Sequence, residues 1–142
     1  MNAFELVDLS LHTEELGRFR VPLREGTASA PVTLPEGTVI NVGLTFRLGR
    51  EIDGLTLEET RVRDGTVVST ARTVLGGFRT GGPYEVRLPA ERLPVGRAHC
   101  GEYEVTSRFT DGTGRELVTL RHRLRLVHQP APDPGRDPAP AS

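Results

Sequence analysis

The sequence predicts an all-β domain: an immunoglobulin-like β-sandwich of two antiparallel sheets with seven to nine strands. Three observations carry this. Ile40, Val42, Leu44, Phe46 and Leu48 recur at strict two-residue spacing with Asn41, Gly43, Thr45 and Arg47 between them, and only a strand puts such a set on one face. Short apolar runs are separated by turn chemistry throughout, with no convincing helical period. Hydrophobic residues make up 36% and aromatics only 5%, with no Trp, so the core must be built mainly from Val, Leu and Ile, which favours pleated surfaces.

Taken in order, Leu9 and Leu11 open the first strand, and Phe19, Val21 and Leu23 the next. The Pro35-Glu36-Gly37 turn leads into the Ile40–Leu48 strand. Asp53-Gly54 and Asp64-Gly65 are predicted turns around Leu55 and Leu57, and short strands are expected at Val67-Val68 and at Val74-Leu75. After Gly81-Gly82-Pro83 come Tyr84, Val86 and Leu88 at period two. The period returns in Tyr103, Val105 and Phe109, interrupted by Ser107. Past Asp111-Gly112 it runs through Val118, Leu120, His122, Leu124 and Leu126, with Thr119, Arg121, Arg123 and Arg125 opposite. These two and the Ile40–Leu48 row are predicted to be long, half-buried antiparallel strands.

A chain of 142 residues fits one core and not two comfortable ones. The domain is predicted over residues 1–128. Beyond it, Gln129-Pro130-Ala131-Pro132-Asp133-Pro134 begins a Pro/Ala-rich tail over 129–142, where alternating proline forbids sheet or helix and predicts disorder.

The formal net charge is −1, and all 18 basic residues are Arg, interspersed with acids. Such a surface lacks the clustered positive field that phosphate binding needs, which excludes nucleic acid as the main partner. The absence of Lys beside abundant Gly, Pro and Ala points to a GC-rich coding genome and hence a bacterial source. Cys100 is the one cysteine and cannot staple the fold within one chain. No basic n-region with an apolar h-region precedes the domain, and no run is long enough to span a bilayer. A cytoplasmic protein with no stable membrane insertion is expected.

No catalytic constellation is evident. His99 and Cys100 pair a base with a nucleophile, yet neighbours in a strand point to opposite faces. His12, His99, His122, His128 and Cys100 show no metal-ligand spacing, so neither a metal nor a cofactor is predicted. Glu14-Glu15, Glu58-Glu59, Glu102 and Glu104 read as solvated surface. The Arg121, Arg123 and Arg125 stripe reads as the cross-strand neighbour of Glu102 and Glu104. Gly76-Gly77 and Gly81-Gly82 do not lead from a strand into a helix, so no phosphate loop is predicted and both pairs are read as turns. His122 is different in kind, because it interrupts an apolar row: its imidazole is either satisfied within the fold or part of a ligand pocket.

Several stretches carry a family resemblance: Leu34-Pro35-Glu36-Gly37, Thr45-Phe46-Arg47-Leu48-Gly49-Arg50-Glu51-Ile52, and Tyr103-Glu104-Val105-Thr106-Ser107-Arg108-Phe109-Thr110-Asp111. In order and spacing they resemble the C-terminal domain of the Rho GDP-dissociation inhibitors, from about Leu34 to Val127 and more loosely back to Leu9. The resemblance implies a sandwich that opens between its sheets to take the geranylgeranyl tail of a small GTPase. It implies a pocket lined by Leu11, Val32, Ile52, Ala98, Val105, Leu120 and His122. Leu120 and His122 stand where the family usually carries tryptophans, and Ala98 where it has a larger aliphatic residue. Glu91 matches an acidic position that touches the GTPase, while Ser69 and Thr113 fall where acids would be expected. The family's N-terminal arm is expected to be lacking. Two functions are therefore weighed: a prenyl- or apolar-group-binding protein partnering a small GTPase, and a closed β-sandwich interaction or scaffold module without a lipid pocket.

Overall fold

The computed structural model describes residues 3–23 and 30–129. Ten strands are present among them: β1 (Phe4–Thr13), β2 (Gly17–Arg20), β3 (Val32–Pro35), β4 (Val39–Leu48), β5 (Ile52–Arg63), β6 (Thr66–Phe78), β7 (Gly81–Arg87), β8 (Glu91–Arg92), β9 (Gly101–Thr110) and β10 (Glu116–Val127). A single 3₁₀ turn, Arg97–His99, precedes β9. One sheet runs β2-β1-β4-β7, with β8 also pairing β4; the other runs β3-β10-β9-β5-β6. The predicted sandwich of two sheets is thus present.

The departures from the predicted pattern have local causes. The Val67-Val68 and Val74-Leu75 runs are two parts of one thirteen-residue strand, β6. β8 has two residues, too few for any period to be seen. One pair is parallel: β3 lies beside β10 with Leu124 opposite Val32 and Leu126 opposite Leu34. The predicted tail lies outside the described residues except for Gln129.

Asp64-Gly65 is the β5–β6 hairpin turn, both residues at positive φ (52° and 78°), as a turn matched to strand twist requires. Asp53-Gly54 is not a turn between strands. It is an irregularity within β5, where pairing with β6 shifts between Ile52 and Leu55. Gly54 sits at φ 65°, and a Cβ there would lie 2.8 Å from Gly112 Cα. The Gly112 N–H donates to the Asp53 carbonyl at 2.8 Å, so the β9–β10 turn docks directly on this bulge. Gly54→Ala is expected to destabilise the domain by about 2 kcal/mol, from the strained φ together with the backbone contact. Urea denaturation checks this.

The row read from the sequence, Ile40 through Leu48, is buried throughout and faces Leu55, Leu57, Val105 and Phe109 of the other sheet within one core. One end of that core is closed by rings. Phe46 stacks on Phe4 at 5.4 Å and meets Phe78 edge-on at 5.1 Å, and Phe4 lies 5.1 Å from Phe109. Such pairs add about 0.5–1.5 kcal/mol each beyond their buried area. The opposite end is built differently, and that difference positions the site.

Candidate functional site at the open end of the sandwich

The inward face of β5 changes character along its length. Leu55 and Leu57 are buried apolar residues. The same two-residue period then continues into Glu59, Arg61 and Arg63. The register places Arg61 opposite Val105 of β9, and Val105 opposite His122 of β10. A guanidinium, an aliphatic side chain and an imidazole thus form one row across three strands, in a position where a sandwich ordinarily holds three hydrophobes.

Arg61 is the centre of this arrangement, its side chain only 12% exposed. It donates to both oxygens of Glu91 on β8, Nη1 to Oε2 at 2.8 Å and Nη2 to Oε1 at 2.7 Å, and Nε donates to Glu59 Oε1 at 3.0 Å. The fork-on-carboxylate geometry ties the two sheets together, because Glu91 belongs to one and Arg61 to the other. Burial alone would disfavour the guanidinium's charge, but the bonds and charges of Glu91 and Glu59 raise its pKa above the ordinary value. Glu59, predicted to be solvated, is turned inward to this pair; Glu58 is 39% exposed and lies 4.0 Å from Arg108.

His122 lies in the same row. Burial pushes its pKa down to about 4, and the neighbouring Arg61 charge adds to this, so the imidazole is neutral at pH 7. Its Nδ1 is buried and has no hydrogen-bond partner among the described residues.

Two cavities flank the Arg61–Glu91 bridge. The larger, about 480 Å³, has Leu93, Leu124, Leu126 and Tyr103 as its apolar floor, with Arg63, Arg92 and His99 around it. The smaller, about 210 Å³, is enclosed by Ile40, Val42, Leu57 and Leu88, with Ala71 and Thr73 of β6 on its outer side. Glu91 lines both, so the bridge is the partition between them. The larger volume falls within the roughly 300–1,000 Å³ range of small-molecule sites.

The seven residues expected to line a pocket are distributed unevenly around these cavities, and none belongs to the linings of these two. Leu11 is buried and pairs with Val42, a lining residue of the smaller cavity. Val32, half-buried, pairs with Leu124 of the larger one. Val105 and His122 stand one row behind Tyr103 and Leu124 along β9 and β10. Leu120 is buried one row further on. Ile52 is buried at the other end of β5, where it pairs with Phe78 beneath the aromatic cluster. Ala98 is exposed on the 3₁₀ turn. Glu91, expected to meet a partner, is 47% exposed while holding Arg61.

Sequence reasoning missed Glu59, Arg61 and the cavity floor. A signal for them was present: the Leu55, Leu57 period does not stop at Glu59, so charged residues continue along the inward face. His99 and Cys100, read as strand neighbours, in fact belong to the 3₁₀ turn and the residue closing it. The Arg stripe behaves as expected, with Arg123 and Arg125 at 3.4 and 3.3 Å from Glu102. One titratable cluster was unforeseen, because its members are far apart in sequence: Glu36, Cys100 and His128 place their ligand atoms within 4.8 Å of one another. Among the described residues no helix is long and apolar enough to cross a membrane.

The fold and site define a two-sheet β-sandwich closed by aromatics at one end and open at the other over an apolar floor behind an ionic bridge. Residues 3–128 match the family described as RHO protein GDP dissociation inhibitor, and the chain belongs to that family. Rho GDP-dissociation inhibitor 1 of Bos taurus is 29% identical over 98 residues, 66% of this chain and 47% of that protein. A probable rho GDP-dissociation inhibitor of Caenorhabditis elegans is 24% identical over 110 residues, 76% of this chain and 58% of that one. The chain thus spans about half the length of the curated relatives it matches. Among solved structures, the C-terminal domain of wzt is similar with a TM-score of 0.64 at 8% identity, covering 89% of this chain and 75% of that chain, a likeness of fold alone.

Proposed function

We propose that this domain holds a prenyl or similar apolar group between its sheets and, through it, partners a lipidated small GTPase. The observation that carries the reading is the pair of cavities at the open end, their floors apolar and their shared wall a bridge between the sheets. An apolar chain entering there gains about 0.8 kcal/mol per buried CH₂. Val105, Leu120 and the neutral His122 are the wall it meets as it goes deeper, with Leu11 and Val32 beside it. Family membership supports the partner class, and the half-exposed Glu91 is the acidic position offered to it.

The test is a fluorescence titration of the purified chain with an environment-sensitive geranylgeranyl-cysteine analogue. Substitutions that plug the cavities from outside avoid disturbing the core: Ser69 lines the larger cavity, Ala71 the smaller, and both are exposed on β6. Saturable binding is expected, weakened more than about tenfold in Ser69→Trp or Ala71→Trp, equivalent to about 1.4 kcal/mol. Melting temperatures should be unchanged. Absence of saturable binding to the unaltered chain would sink the proposal.

The second reading, a closed interaction module, is favoured by a different observation. β6 is an edge strand of thirteen residues with Val67, Val68 and Val74 exposed, the last at 66%, and such an edge can accept an added strand. A chain that ignores the lipid analogue and captures a partner through β6 would have this function instead.

A further inference from the structure

Glu36, Cys100 and His128 come from three separate parts of the chain: the β3–β4 turn, the residue that closes the 3₁₀ turn, and the residue that follows β10. Their convergence is fixed by the backbone. The Glu36 N–H donates to the Val127 carbonyl at 2.8 Å, Gly37 N–H to Pro94 at 3.1 Å, and Cys100 N–H to Arg97 at 3.1 Å. The Glu36 carboxylate is oriented as well: Oε1 accepts the Gly96 N–H at 2.5 Å, and Oε2 accepts the Gln129 N–H at 2.8 Å. Oε2 also meets Nδ1 of His128. Among the described residues the Cys100 thiol meets the Gly96 carbonyl at 3.6 Å.

We propose that Glu36, Cys100 and His128 form a zinc-binding site with three protein ligands and a fourth position open to water. The donor set selects the metal. Calcium and magnesium take oxygen ligands, whereas one thiolate, one imidazole and one carboxylate suit a borderline-soft, tetrahedral cation. The ligand atoms already lie within 4.8 Å of one another. The ion would take the place of the Glu36–His128 contact, with the three side chains adjusting to tetrahedral zinc distances. The two backbone donors on Glu36 act as an outer shell, the arrangement that fixes the orientation of a ligating carboxylate. A bound ion would join the end of β10 to the β3–β4 turn and to the loop beside the larger cavity, which contains His99 and Pro94.

Cobalt(II) reports directly on this site. The full chain, free of any affinity tag and fully reduced, is expected to bind one equivalent of Co²⁺ with tetrahedral visible bands and a thiolate-to-metal absorption in the near ultraviolet. Zn²⁺ should displace it and raise the melting temperature of the unaltered chain by mass action. Cys100→Ser should lose the thiolate band. His128→Gln should weaken affinity more than about tenfold, whereas His99→Gln should bind as the unaltered chain does. Metal-free melting temperatures of Cys100→Ser and His128→Gln, compared with the unaltered chain, show that each variant is folded. A thiolate band that is absent at one equivalent, or that persists in Cys100→Ser, overturns the proposal. So does an affinity that depends on His99 and not on His128.

Discussion

Arg61→Met is expected to destabilise the domain by about 3 kcal/mol, because removing one member of a buried ionic group leaves its partner's charge uncompensated. The charge left behind is that of Glu59, whose side chain is 18% exposed and whose ion-pair partner is Arg61. Glu91→Gln should cost much less, below about 1 kcal/mol, since Glu91 is 47% exposed and water replaces much of what it loses. The informative variant is the double replacement of Glu59 and Arg61 by methionine. With both charges removed and the volume kept, stability should recover most of the single-variant loss, giving a coupling of about 2 kcal/mol in a double-mutant cycle. Urea denaturation of the four proteins measures it. An additive result would mean that Arg61 is held by Glu91 alone. Because the bridge divides the two cavities, the double variant should also bind the lipid analogue more tightly than the unaltered chain, its ligand no longer having to displace a salt bridge.

This bridge also shows where the sequence was legible and where it was not. The strands β4, β9 and β10 could be read directly, because one side of each is buried and the other wet, so hydrophobicity alternates at the period of the backbone. β5 and β6 could not, for opposite reasons. On β5 the inward residues become charged at Glu59, and a charge on an inner face looks like a surface residue until its partner is known. For Arg61 that partner, Glu91, is thirty residues away on a two-residue strand. On β6 most of the strand is exposed on both sides, so the period is lost and two short valine runs stand out instead. Glycine misled in three places: Asp53-Gly54 has turn chemistry, but its positive φ serves a bulge against which Gly112 packs, while Gly76-Gly77 lies inside β6 and Gly81-Gly82 opens β7, so neither pair is a turn between strands. The family resemblance reached the right fold, yet transferred positions do not coincide with the linings of the two cavities described. The departures are physical. Ile52 is sealed beneath aromatics and Ala98 is on an outer turn. The room lies where Arg61, Tyr103 and Leu93 frame it.

His122 yields the second large effect, as a dependence of stability on pH. In the unfolded chain its imidazole takes up a proton near its ordinary pKa of 6.5, whereas in the folded chain it does so only at about 4. Between those values the unfolded state binds more protons, so stability is full above pH 6.5, falls as the pH drops toward 4, and levels off below it. The shift corresponds to up to about 3 kcal/mol at 1.36 kcal/mol per pKa unit. His12, whose pKa is also lowered by burial and by Arg87 and Arg18, acts in the same direction, and the depressed Asp8, Glu36 and Asp111 carboxyls act at lower pH. The difference between the unaltered chain and His122→Leu therefore isolates the effect. His122→Leu should be more stable by about 1–2 kcal/mol at pH 7, because it removes the unpartnered Nδ1. Its advantage should widen as the pH falls to 4. In Arg61→Met the same histidine loses a neighbouring positive charge, so its pKa should rise and the window should narrow from the acid side. The check is the imidazole proton resonance of His122 in the folded protein, followed by NMR from pH 8 to 4, with parallel urea denaturations. A resonance that moves little above pH 5 means a dry, neutral wall, fit for an apolar chain to lie against. A midpoint near 6.5 would mean water between the sheets at this row, and a lipid would then have to displace it.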